Sequence, residues 1–160
     1  MRTRPTQGLV REAIFNILGE RIMGTSLLDL YAGRGGVGLY ALERGAESVT
    51  FVEADRSNVR YIRERLKMFG TKGRVYHGDV MRVLRRIRLD FGLIFLDPPY
   101  NKGLVGPTLS LIDKRVPPPH TLIIAEHHHK EEVSKEFRKL RLIKRKRYGE
   151  TSLSIYEAVV

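Results

Sequence analysis

"SLLDLYAGRGGVGLYALERG", residues 26–45, sets a short apolar run against a glycine-rich bend and then a helical pattern. Gly33, Gly35 and Gly38 fit G-x-G-x-x-G after a strand and before a helix, where missing side chains let a ligand approach the backbone and the helix N-terminus. Glu53 stands 20 residues beyond Gly33, at the end of the next apolar run, "SVTFVEAD" (48–55). A carboxylate at that place can hold two ribose hydroxyls bidentately. Glycine bend and acid together point to an adenosine-containing ligand. The alternative is a strand-terminating bend and a solvated acid.

Outward from this stretch, strand and helix alternate. Val10, Ala13, Ile14, Ile17 and Leu18 share one helical face, so "QGLVREAIFNIL" (7–18) reads as an amphipathic helix, with Pro5-Thr6 as its start. A second helix is expected over 36–45, closing at Gly45, and a third from Ser57 as N-cap, with Val59, Ile62, Leu66 and Phe69 as its apolar stripe. "RVYHGDV" (74–80) is the third strand candidate and "FGLIFLD" (91–97) the fourth. Val80, Val83, Leu84 and Ile87 make a helix between them, and Leu104 to Lys114 another that leads to the fifth strand, "TLIIAE" (121–126). The last stretch, 140–160, reads as an antiparallel pair about Gly149-Glu150. The chain of 160 residues is therefore expected to be one α/β domain, 1–160, with an N-terminal helix at 7–18 and a core from 26 to 160. Its sheet is mostly parallel with helices on both faces, and strand order should reverse between the first and fourth strands. That would set the loops after "LLDLYAG" and "LIFLD" side by side.

The fourth strand stops on Asp97-Pro98-Pro99-Tyr100. Proline fixes φ and lacks an N–H, and a residue before proline is pushed into extended conformations, so Asp97 and Pro98 are both held in one backbone shape. The corner presents a carboxylate, a carbonyl and an aromatic ring in fixed relation. Two acceptors and a stacking plate suit a planar base bearing an exocyclic amine. Such an amine is a poor nucleophile because its lone pair is delocalised, and two acceptors on its hydrogens would turn the nitrogen toward sp³. Asp79, after the third strand, is placed to accept from an adenine amino group, although a helix N-cap is the plainer reading.

Lys and Arg outnumber Asp and Glu by 29 to 18, a formal charge of +11, which favours a polyanionic partner or, equally, a charge-rich thermophilic surface. In "KEFRKLRLIKRKR" (135–147) eight of thirteen residues are basic, an RNA-facing patch or an edge strand guarded by lysines. Cysteine is absent, which excludes disulfides, thiolate catalysis and Cys-ligated zinc. Three consecutive imidazoles cannot all face one ion, so "HHHK" (127–130) is expected to be a solvent-facing loop and no metal is expected. No apolar run is long enough to span a bilayer and the start lacks a signal peptide's apolar core, so a cytoplasmic protein without membrane contact is expected.

"DLYAGRGGVG", "VEAD" and "DPPY" together resemble a class I S-adenosylmethionine-dependent methyltransferase acting on an exocyclic base nitrogen. More narrowly, "RPTQGLVREAIFNIL" and "YGETSLSIY" resemble the opening and closing motifs of the bacterial 16S rRNA guanine-N2 methyltransferases of the RsmD type. The resemblance implies a Rossmann-like fold with a seven-stranded sheet whose last strand is antiparallel. It implies S-adenosylmethionine as cofactor, with Tyr31, Gly33, Gly35 and Gly38 around its methionine part, Glu53 on the ribose, and Asp79 and Val80 flanking adenine. Thr6 and Phe15 would close over it. Asp97 and Pro98 would bind the guanine amine while Tyr100 stacks on the base. The implied substrate is 16S rRNA in partly assembled 30S subunits, met by a monomer. Two features differ from the family: only Met1-Arg2-Thr3 precede Arg4 where a basic hairpin is usual, and Arg34 replaces a serine. A long cation there must point away from a sulfonium. Adenine-N6 methylation of DNA shares "DPPY", and a non-catalytic RNA-binding or ribosome-assembly module is the reading from another class.

Overall fold

Seven strands form: β1 (Ser26–Leu30), β2 (Ser48–Glu53), β3 (Gly73–His77), β4 (Leu93–Leu96), β5 (Leu122–His128), β6 (Leu140–Tyr148) and β7 (Thr151–Ala158). The structure, a computed structural model, describes residues 7–160. The strands form one sheet in the order β3-β2-β1-β4-β5-β7-β6. β1 to β5 run parallel, and β7 lies antiparallel to both β5 and β6. Strand order reverses between β1 and β4, so the connections leaving their carboxyl ends turn to opposite faces and open a crevice.

Period-two burial divides the core between the faces. Leu27, Phe51, Leu93, Phe95 and Ile124 point toward α1 (Gln7–Leu18), α2 (Gly36–Glu43) and α3 (Arg56–Leu66). Leu28, Leu30, Ile94, Leu96 and Ile123 point toward α4 (Val80–Arg86) and α5 (Val105–Arg115). Both faces are covered, which is why these strands read as continuous apolar runs. At Gly38 the packing is closest: a Cβ there would lie 2.3 Å from Phe51 Cε2, so α2 rests on β2 only because this position has no side chain. Overpacking of this kind costs about 1–3 kcal/mol.

Two local expectations need correction. α3 is capped by Asp55 rather than Ser57: Asp55 Oδ2 accepts from the Asn58 amide at 2.9 Å and from Ser57 Oγ at 2.7 Å, so the helix starts at Arg56. The histidine run is not a solvent-facing loop. β5 continues through His128 because β7 pairs with it as far as His128↔Thr151, and His127 and His128 are buried. His127 Nε2 meets Ser154 Oγ at 2.7 Å and its Nδ1 meets the His128 carbonyl at 2.9 Å. Burial, against the raising effect of the bond to the His128 carbonyl and with a further push from the charge of Arg145, lowers the His127 pKa and so favours the neutral ring. Among the described residues no cluster of side chains could hold a metal ion, and no helix is long and apolar enough to cross a membrane.

Candidate functional site at the carboxyl rim of the sheet

The bend after β1 is built around Glu53. Tyr31 and Gly33 both take positive φ, at 60° and 59°, and turn the chain sharply off the strand. The Gly33 amide then donates to Glu53 Oε1 at 2.8 Å, while Glu53 Oε2 accepts from the Asp55 amide at 2.9 Å and from Asn58 Nδ2 at 3.3 Å. A carboxylate held from two loops has its place fixed and keeps lone pairs for a further donor. A Cβ on Gly33 would meet nothing within 4 Å, so open space lies in front of this backbone.

The corner after β4 lies beside it. Leu30 and Leu96 are register partners, and the Asp97 amide donates to the Leu30 carbonyl at 3.3 Å. Asp97 and Pro99 therefore border the same open cleft as Gly33 and Glu53, a space of about 1240 Å³. Pro98 is buried at its edge. Tyr100 stands half-buried outside the cleft lining, with its hydroxyl 2.5 Å from Thr151 Oγ1 and its ring edge-on to His128 at 5.6 Å. The corner and the closing motif are thus bonded to each other, through residues 51 positions apart.

The cleft is acidic in a strongly basic chain. Asp29, Glu43, Glu53, Asp79, Asp97 and Glu126 line it, against the three arginines Arg11, Arg34 and Arg65. Asp29 is 1% exposed and its Oδ2 accepts from the Gly38 amide at 3.1 Å. Burial first, then the charges of Asp97 and Glu53, raise its pKa well above the usual carboxylate value, against the lowering effect of the Gly38 amide. Asp29 thereby ties the start of α2 to the sheet floor. A lining of carboxylates favours a cationic ligand and disfavours a bare anion.

The remaining sequence-predicted residues fall in different places. Asp79 lines the cleft and caps α4, accepting from the Arg82 amide at 3.0 Å, with Val80 buried beside it. Tyr31 also faces the cleft. Its hydroxyl is 2.7 Å from Thr108 Oγ1, and burial raises its pKa. Gly35 and Gly38 do not line the cleft: the first is the N-cap of α2 and the second packs on Phe51. Phe15 is 5% exposed in the core, edge-on to Tyr40 at 4.7 Å, while Val10, Arg11 and Ile14 of the same helix border the cleft. Thr6 lies outside the described residues. Arg34 is exposed at the border of the cleft, its guanidinium stacked 3.9 Å from the centroid of the Tyr61 ring, which lines the cleft with it.

Asp29 and Glu126 were missed by sequence reasoning. Each is an acid inside or ending an apolar run, "LLDLY" and "IIAEHH", the same signal that singled out Asp97. Burial of a charge without a partner is costly, so an acid set among strand residues marks a place where a donor or a cation is supplied.

The family model described as Conserved hypothetical protein 95 matches residues 1–157. Among curated relatives, the Bacillus subtilis protein YlbH is 37% identical over 161 residues, covering 97% of this chain and 88% of its own. The Escherichia coli protein named Ribosomal RNA small subunit methyltransferase D is 34% identical over 111 residues, 69% of this chain and 56% of that one. Among solved structures, yhhF from Escherichia coli superposes with a TM-score of 0.87 at 29% identity, covering 98% of this chain and 88% of that chain.

Proposed function

The chain belongs to the Conserved hypothetical protein 95 family, the RsmD family, and from that premise we propose that it is an S-adenosylmethionine-dependent rRNA methyltransferase acting on the exocyclic N2 amine of a guanine in 16S rRNA. One observation carries this reading: the Asp97-Pro98-Pro99 corner borders the same acid-lined cleft as the glycine bend and Glu53. The seven-stranded sheet with its antiparallel β7 is the class I methyltransferase arrangement.

The residues present fit the cofactor. Glu53 is positioned for ribose hydroxyls, open backbone at Gly33 leaves room for the methionine part, and Asp79 and Val80 border the adenine end. Carboxylates along the cleft suit a sulfonium. S-adenosylmethionine supplies an electrophilic methyl group when bound. On the chain's side, the Asp97 carboxylate and the Pro98 carbonyl accept the two N–H bonds of the amine, which localises its lone pair and aims it into the cleft in front of Gly33. With the methyl donor bound, the Asp97 carboxylate would take the surplus amine proton and pass it to solvent. Tyr100, held by Thr151 and backed by His128, stacks on the base.

RNA is guided by the β6 edge. Lys144 and Lys146 pair with Ile155 and Leu153 of β7, which belong to the sheet face that carries the cleft, and both lysines are exposed. Such a row neutralises phosphates flanking the target nucleotide. The protein acts as a one-domain monomer in the cytoplasm on partly assembled 30S subunits. Labelled methyl transfer into undermethylated 30S particles tests this. Incorporation at a guanine, lost in Asp97→Ala, is expected. Incorporation indifferent to that change, or into adenine of duplex DNA instead, overturns it.

A further inference from the structure

Asp97 directly follows β4, and Glu126 lies within the neighbouring parallel strand β5. The register Leu96↔Ala125 places the next residue of each strand side by side, and both line the cleft together with Phe95 and Pro99. Glu126 is 7% exposed, and its neighbours on that side of β5, Leu122 and Ile124, belong to the core of the cleft face. In the reading above Asp97 and Pro98 serve the amine, and Glu126 sets a second carboxylate beside them in the cleft.

Base chemistry gives that carboxylate a task. On the Watson–Crick edge of guanine the N2 amine stands next to N1–H, two donors in a row, whereas adenine places the N1 lone pair beside its amine. Two carboxylates side by side match the first edge and repel the second. We propose that Glu126 accepts the N1–H of the target guanine and so makes the site select guanine over bases that carry an amine beside an unprotonated ring nitrogen. This rests on the proposed guanine-N2 activity. A site built to hydrogen-bond a donor rejects an analogue that lacks it, because the buried acceptor then faces a lone pair.

The test uses an rRNA fragment carrying the guanine mapped by labelled methyl transfer, against the same fragment with 2-aminopurine at that position. 2-Aminopurine keeps the amine on C2 but has a bare N1. Wild type should favour guanine by about 10- to 100-fold in kcat/KM. In Glu126→Gln the amide can present either its oxygen or its NH₂, so the ratio should collapse to within about threefold, mainly through a faster reaction of 2-aminopurine relative to guanine. Equal use of the two fragments by wild type overturns the assignment without any variant. Glu126→Gln slowing both fragments equally, with calorimetric binding of S-adenosylhomocysteine retained, also overturns it. Absence of transfer even to guanine overturns the activity itself, a result separate from transfer to both bases alike.

Discussion

The carboxyl rim of β2, β1, β4 and β5 and the outer strand β6 belong to one sheet, yet they are built from opposite charges. The rim carries Glu53, Asp29, Asp97 and Glu126 on four adjacent strands, facing the side covered by α1 to α3. β6 carries Arg141, Lys144, Arg145, Lys146 and Arg147, all exposed. Between them stands half-buried Tyr100, bonded to buried Thr151. A net charge of +11 therefore says little about the centre of the molecule. In the proposed function the acids are gathered where a cation would be held in low dielectric, and the bases where a polyanion would pass through water.

The sharpest way to break this division is at the rim. Asp97→Ala should lower methyl transfer by about 10²–10³-fold while S-adenosylhomocysteine binding, followed by calorimetry, changes little, because the lost acceptor serves the amine. A smaller effect is expected at the edge strand. Lys144→Glu with Lys146→Glu should raise the KM for RNA several-fold at unchanged kcat, and the slope of log affinity against log salt should flatten by about two contacts' worth. An unaltered salt slope would return β6 to the status of an edge guarded against pairing.

The smallest effect concerns Asp29. Its folded pKa is raised, so between the unfolded and the folded values the folded chain holds a proton that the unfolded chain releases. The stability it contributes is present below the ordinary Asp value and is lost as pH rises through the folded value. Asp29→Asn keeps an acceptor for the Gly38 amide without the charge. Its melting temperature should match wild type on the acid side and exceed it by a few degrees toward neutrality, on the order of 1 kcal/mol.

Much of this arrangement was legible in the residues. α1 spans 7–18 as its apolar spacing predicts, and the β6–β7 turn falls at Gly149-Glu150. The crossing from β1 to β4 followed from the alternation of strand and helix, and it brought the two loops together as expected. What stayed hidden depends on partners distant in sequence. The histidines of "HHHK" look polar and local, but β7 extends β5 and draws His127 onto Ser154, 27 residues away. Asp55 outcompetes Ser57 as a cap because the bonds from Glu53 to the Asp55 amide and Asn58 set where α3 begins. Gly38 matches a ligand motif, yet its demand comes from Phe51 on the neighbouring strand.

A crystal structure of the chain with S-adenosylhomocysteine and a guanine-containing oligonucleotide measures the central claim directly. The account predicts the ribose hydroxyls on Glu53, the sulfur in front of Gly33, and the guanine amine between Asp97 and the Pro98 carbonyl. A cofactor seated away from the acid-lined cleft, or a base bound on the β6 edge with the Asp97 corner empty, would contradict it.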